Sequence, residues 1–372
     1  MVDPGFTTEE MTRVFAPSAR VEAMLRFEAA LALALADTGL APPDSAGRVA
    51  DACSSPASDP DAILAATWVE GTPLDPLLAE IRGRVSEDDS RWLHHGATTQ
   101  DVIDTATMVQ AAEGLGILES GLADLARILA RLVADHRGQP QIGRTFLQHA
   151  RPSTFGFRAA TWLDPVLRHL GELREARAGL VVQLGGPVGD LAPYGERGIE
   201  VVEALATRLG LRSPGISWHS DRSRVAALVA VLQRCARTMA RIGGDIALLA
   251  STDIAEVRVR SGGSSSMAGK RNPIDPIRAV AAAEACTGAA SMVTGGRSHE
   301  LDRGIGGWHV EWLAIPLVFE TTASAVEAMN ICLGSLEVAS GQMESRAGDG
   351  PDLDPRLIDR VLAAYEATVE PG

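Results

Sequence analysis

Aromatic side chains make up only 4% of the 372 residues, while alanine is abundant, a balance that favours close-packed helices over sheets. Cysteine is almost as scarce. Cys53, Cys235, Cys286 and Cys332 lie far apart with no Cys-x-x-Cys spacing, which excludes a zinc ribbon or a disulfide framework and fits reduced, buried thiols. Cations are in deficit: 34 Lys and Arg against 48 Asp and Glu leave a net charge of −14, which argues against nucleic acid or an anionic membrane as partner. No apolar run approaches the roughly 20 residues that span a bilayer. The N-terminus has no basic region followed by a cleavage pattern, and the apolar stretch 29–36 follows Glu28, so it reads as a helix face. The expectation is a soluble cytoplasmic protein without membrane or nucleic-acid contacts. With 46% hydrophobic residues, the chain can build one large or two ordinary domains.

What is present is helical periodicity. An amphipathic helix is expected over about 18–38, stopped by Gly39. Residues 41–105 are broken by Pro42-Pro43, a Ser/Asp/Pro cluster, Pro73 and Pro76, and no run alternates with period two, so short helices joined by turns are expected. Five long helices follow, at about 101–136, 153–184, 221–257, 273–295 and 308–344. In the third, Val225, Leu228, Val229, Leu232, Ala236, Met239, Ile242, Ile246 and Leu249 recur every three or four residues, an apolar stripe roughly 50 Å long at 1.5 Å per residue. Pro165 and Pro316 are expected to kink the second and fifth. The fold class is therefore all-α. A small N-terminal helical domain (1–105) precedes an elongated five-helix bundle (106–345) and a tail with one short helix (346–372).

Three polar islands interrupt this apolar chain, each at the end of a long helix. The first, 92–105, offers His94, His95, Thr98, Thr99, Gln100 and Asp101. Thr or Asp is an ordinary N-cap, but paired His and paired Thr exceed what capping needs, and a helix N-terminus is a natural carboxylate site. The second, 143–154, sets Gln148 and His149 between Arg144 and Arg151 in what reads as a polar turn before a helix. There His149 could act as a general acid or a substrate-binding cation. The third, Ser261-Gly-Gly-Ser-Ser-Ser-Met-Ala-Gly-Lys-Arg-Asn-Pro273, has a loop's composition and brings hydroxyls, backbone N–H groups, Lys270 and Arg271 together. No His neighbours its serines, so a serine would have to act as base with its pKa lowered by Lys270 and the loop N–H groups. Clusters with metal-ligand spacing are absent, so no metal is expected, and no dinucleotide-binding glycine pattern follows a strand.

The islands, in order, resemble the three signature regions of the fumarase/aspartase superfamily. Gly263-Ser-Ser-Ser-Met-Ala-Gly-Lys-Arg-Asn-Pro273 is similar to its mobile loop, with Ala268 where the family has proline. Within that superfamily, Trp92-Leu-His-His-Gly-Ala-Thr98, Thr145-Phe-Leu-Gln-His-Ala150, Trp218-His219 and Gly306-Gly-Trp-His-Val-Glu-Trp312 resemble the branch of lactonizing enzymes that act on 3-carboxy-cis,cis-muconate. Phe146 stands where fumarase and argininosuccinate lyase carry His.

The resemblance implies a homotetramer with active sites shared between subunits, no cofactor, and a small tricarboxylate substrate. By position it implies that Ser264 exchanges the proton next to a carboxylate, with Ser265 beside it and Ser266 also open as the serine that acts. It makes His149 general acid, and His94, Thr98, Thr99, Gln148, Lys270 and Asn272 substrate contacts. Arg144, Arg151, Arg271 and Arg303 are further cations for three carboxylates. The family's C-terminal helical domain is expected to be reduced here to one short helix. The rival readings are a lyase releasing fumarate, such as an adenylosuccinate-type enzyme, and a catalytically silent helical scaffold.

Overall fold

The structure, a computed structural model, describes residues 3–260, 262–263, 265–267, 269–295, 300–348 and 353–369. It is all-α in character. The helices are α1 (Glu9–Val14), α2 (Pro17–Asp37), α3 (Pro43–Ser54), α4 (Pro60–Ala65), α5 (Thr67–Glu70), α6 (Leu74–Arg82), α7 (Glu87–Ser90), α8 (Thr99–Asp135), α9 (Phe155–Ala178), α10 (Gly198–Leu209), α11 (Ser223–Leu249), α12 (Ile274–Thr294), α13 (Gly307–Gly334), α14 (Ser340–Ala347) and α15 (Arg356–Val369). Between them lie two antiparallel ribbons, β1 (Pro140–Thr145) with β2 (Gln148–Thr154), and β3 (Val257–Arg258) with β4 (Glu337–Val338).

Each boundary has a local cause. Pro17 opens α2 at a position that needs no N–H donor, and Gly39 at φ +74° closes it in the left-handed region. The short helices α4 and α7 start on Asp59 and Ser86, whose side chains accept backbone N–H groups of the first turn. The five long helices bury their apolar stripes against one another, and α11 buries all nine stripe residues named above. Pro165 and Pro316 lie inside continuous helices.

Two features depart from the sequence expectation. The stretch 143–154 forms the β1–β2 hairpin, with Phe146 (φ +51°) and Leu147 (φ +63°) at its tip. Positive φ at both tip residues matches the right-handed twist of a two-residue hairpin. Residues 148–151 of β2 are exposed in succession, so the strand has no buried face to impose a period of two on the sequence. The long helices also end earlier than their apolar patterns. Residues beyond Leu249 and Gly334 turn into β3 and β4, where Val257 stays buried without being helical.

Side-chain contacts set the directions of the helices. An added Cβ at Gly114 would lie 2.8 Å from Phe319, and one at Gly121 3.0 Å from Val326, so α8 and α13 run alongside in the same direction at close range. Arg222, just ahead of α11, meets Asp104 near the start of α8 and Glu311 near the start of α13. Three helix starts thus share one end of the bundle. Helices α9 and α12 return between them, and both ribbons lie at the other end.

Candidate active site

At the first end, Thr98 caps α8: its N–H donates to Asp101 Oδ2 at 3.0 Å. Asp101 is fully buried and takes more than the helix start requires. It also accepts Gly185 N (3.0 Å), Gly186 N (2.9 Å) and His219 Nε2 (2.7 Å). These bonds tie the segment after α9 and the segment before α11 to the cap. Gly96, at φ +73°, packs where a Cβ would come within 2.8 Å of the Tyr194 ring, so the turn that carries His94 and His95 needs glycine there.

On that turn His94 adopts φ +56°. Its backbone N–H donates to Glu28 Oε2 (2.9 Å) and its Nδ1 lies 2.7 Å from Glu28 Oε1. Glu28 is fully buried on α2. Burial of the imidazole, the largest single influence, works against its charge. The charge and hydrogen bond of Glu28, aided by Asp101, outweigh it and hold the His94 pKa above the usual imidazole value. Arg303 reaches the same place, donating to Thr98 Oγ1 (3.0 Å) and to the Pro187 carbonyl (3.1 Å). His94, Thr98, Thr99 and Arg303 are therefore gathered around one helix N-terminus, a cationic, donor-rich place suited to a carboxylate.

A buried ionic frame stands behind them. Arg222 forks onto Asp104 (2.7 and 2.9 Å) and onto both oxygens of Glu311, and its guanidinium lies 4.7 Å from the centre of the Trp218 ring. Trp308 Nε1 also donates to Asp104 (2.9 Å). Trp218, His219, Trp308 and Glu311, all from the motifs that marked the branch, serve here as framework. All four are buried.

At the far end, Gln148 and His149 are exposed on β2, next to the exposed Phe146 and Leu147. Arg144, one of the cations expected for substrate, is instead committed to structure. Its guanidinium grips the fully buried Glu256, which also accepts Gln141 (2.9 Å). Burial pushes the Glu256 pKa up, but hydrogen bonds from Arg144 and Gln141 overcome this and hold it below the ordinary value. The third island starts from the same end. Gly262 and Asn272 exchange two backbone hydrogen bonds of 3.0 Å, closing the loop at its base, and Arg260 locks onto Asp275 (2.6 and 3.0 Å) just below. Ser265 and Lys270 are exposed on this loop, and Asn272 Nδ2 lies 3.4 Å from the Gly263 carbonyl. Ser264 lies outside the described residues.

The three islands do not converge within one chain. The first lies at the start of α8; the second follows its end, 37 residues on. At 1.5 Å per residue that is about 55 Å, so His94 and His149 of the same chain cannot meet on one small molecule.

Among the described residues no helix is long and apolar enough to cross a membrane, and no group of three His, Cys, Asp or Glu could hold a metal ion. Comparison with known proteins supplies the family. Residues 5–295 match the family described as Lyase. The chain belongs to the lyase family. One relative of this chain is 3-carboxy-cis,cis-muconate cycloisomerase of Pseudomonas aeruginosa, 36% identical over 356 residues that cover 94% of this chain and 78% of the relative. Among solved structures, the 3-carboxy-cis,cis-muconate lactonizing enzyme of Pseudomonas putida superposes with a TM-score of 0.86 at 31% identity, covering 98% of this chain and 87% of that one. The fumarate lyase of Mesorhizobium sp. BNC1 has the same TM-score at 29% identity, covering 100% and 89%.

Sequence reasoning missed Glu28, the partner of His94, and did not anticipate that Asp101 and His219 would join three segments. Glu28 carries a readable signal in retrospect, a lone carboxylate within the apolar run that follows Phe27. A charge in such a run is buried only with a partner.

Proposed function

We propose that this protein is a cycloisomerase that closes 3-carboxy-cis,cis-muconate to 4-carboxymuconolactone without a cofactor, acting as a cytoplasmic homotetramer. The observation that carries the reading is 36% identity along 94% of the chain with an enzyme of that name. The separation of the islands supports the oligomer: His94 with Arg303 of one copy, the His149 hairpin of a second and the loop of a third are combined in one site. The exposed Phe146–Leu147 tip fits a hairpin that is covered by another copy.

In this reaction a substrate carboxylate oxygen adds to an alkene carbon, forming the lactone C–O bond. The π electrons move to the neighbouring carbon and into its carboxylate, giving an aci-carboxylate. Lys270, Asn272 and the loop N–H groups stabilise that charge, the largest contribution such a site can make. Ser264, or its neighbour Ser265, delivers the one proton that completes the carbon, and His149, the general acid that also binds substrate, returns a proton to that serine. His94, Thr98, Thr99, Gln148 and Arg303 hold the remaining carboxylates. The test is the ultraviolet absorbance of 3-carboxy-cis,cis-muconate mixed with purified protein and no added metal or cofactor. Loss of the diene signal with lactone as product is expected; an unchanged spectrum overturns the assignment.

The likeness to a fumarate lyase over the whole chain favours one second reading, β-elimination from a succinyl compound. Release of fumarate from adenylosuccinate or a related substrate distinguishes it.

A further inference from the structure

Two apolar surfaces stand uncovered at opposite ends of the bundle. At one end is the hairpin tip, where Phe146 is 99% and Leu147 67% exposed. Both hold left-handed backbone, at φ +51° and +63°, which is strained for bulky residues and concentrates at functional contacts. At the other end, Arg303 donates to the Pro187 carbonyl (3.1 Å) and so holds segment 300–305 against the turn that carries Val188. Leu301 (91% exposed), Ile305 (84%) and Val188 (57%) give these two segments an apolar rim, and Arg303 ties the rim to Thr98 at the start of α8. Leu301 is left-handed as well, at φ +47°. Single exposed apolar residues need no explanation, but several large ones grouped beside a polar site mark a contact surface.

The two surfaces also match in charge. Hairpin residues 140–154 include no carboxylate; Arg144 is committed to Glu256, and Arg151 is exposed without an ion pair among the described residues. Residues 187–190 and 300–305 carry Asp190, Glu300 and Asp302 against Arg303 alone. A cationic hairpin with an apolar tip thus complements an acidic rim with an apolar edge. Within one chain they cannot meet, because α8 separates them by 37 residues, about 55 Å. We infer that the Phe146–Leu147 tip of one copy seats on the Val188, Leu301 and Ile305 rim of another, and that this contact delivers His149 to the Thr98–Arg303 site. His149 follows Leu147 by two residues, about 7 Å along β2. Seating replaces water with side-chain carbon next to His94 and Arg303, which strengthens their attraction for a carboxylate. The inference rests on the shared-site part of the proposed function and holds whichever small carboxylate reacts there.

The test is cross-linking of the full-length protein carrying Phe146→Cys and Ile305→Cys, with a short bis-maleimide. The four native cysteines are buried and do not compete. The control pairs Phe146→Cys with Asp51→Cys, which is exposed on α3 outside the rim. The tip–rim variant is expected to give at least tenfold more covalent dimer than the control on a denaturing gel. Equal yields in a protein that light scattering shows to be oligomeric overturn the seating alone; a monomer overturns the shared site with it. Should the cysteine variants fail to fold or assemble, hydroxyl-radical footprinting of the unmodified protein decides. Protection of Phe146, Leu301 and Ile305 that is lost on dilution to protomers supports the contact. Equal labelling of these residues before and after dilution rejects it.

Discussion

Glu28 and His94, 66 positions apart in sequence, are joined twice, by a backbone N–H at 2.9 Å and by the imidazole Nδ1 at 2.7 Å. The first bond fixes the left-handed turn and the second fixes the ring, so α2 sets the orientation of a residue that faces the candidate site. Because the folded pKa of His94 is raised, the ion pair contributes its full stability below the unfolded imidazole pKa. That contribution is lost as pH rises through the higher, folded value.

The same sign applies to binding. Protonated His94 favours a substrate carboxylate, so KM is expected to rise as pH climbs past the His94 pKa. Glu28→Gln keeps an acceptor but removes the charge, and should move that KM limb down by about one pH unit or more. A KM profile identical to wild type would show that His94 does not sense Glu28.

Ser264→Ala should cut turnover by orders of magnitude while substrate still binds, measured by single-turnover kinetics alongside equilibrium binding. Near-normal turnover would move the proton-transfer role to Ser265.

His94→Gln and His149→Ala, each made inactive alone, should complement when co-expressed, because in the proposed shared site the two residues come from different copies. Random assortment leaves about a quarter of sites with both native residues. Activity no higher than either variant would sink the shared site, as would a fully active monomer by light scattering.

Lys270 is the only lysine in the sequence and is exposed. An amine-reactive acylating reagent therefore modifies this side chain and otherwise only the N-terminal amine. Acylation should abolish activity, and saturating substrate should slow it; full activity after complete Lys270 modification, read by mass spectrometry, argues against its role at the carboxylate.

Arg222→Met should destabilise the fold by about 3–5 kcal/mol, because Asp104 and Glu311 are left buried without their cation. Urea denaturation measures it. A loss below about 1 kcal/mol would mean that the frame tolerates two uncompensated carboxylates.

Most of the helical layout was legible. The nine-residue stripe of α11 needs only local periodicity, and the Gly39 stop and the break-up of 41–105 follow from backbone preferences of single residues. The β1–β2 hairpin was not legible, since β2 has a run of exposed residues and its two-residue turn is made by Phe146 and Leu147 instead of Asn-Gly. The fate of Arg144 was equally hidden. As a cation in a polar stretch it looks like a ligand for substrate, and only Glu256, 112 positions away, reveals it as half of a buried pair.

The sequence by itself determined the long helices, the three polar islands and the types of group each island offers, because these depend on neighbours within a few residues. The tertiary structure alone decided which charges are paired and where the islands lie. Pairing depends on distances between segments far apart in the chain, and the rigid length of α8 puts two islands at opposite ends of the bundle. The residues of the three islands are therefore written along one chain that cannot by itself bring His94 and His149 together.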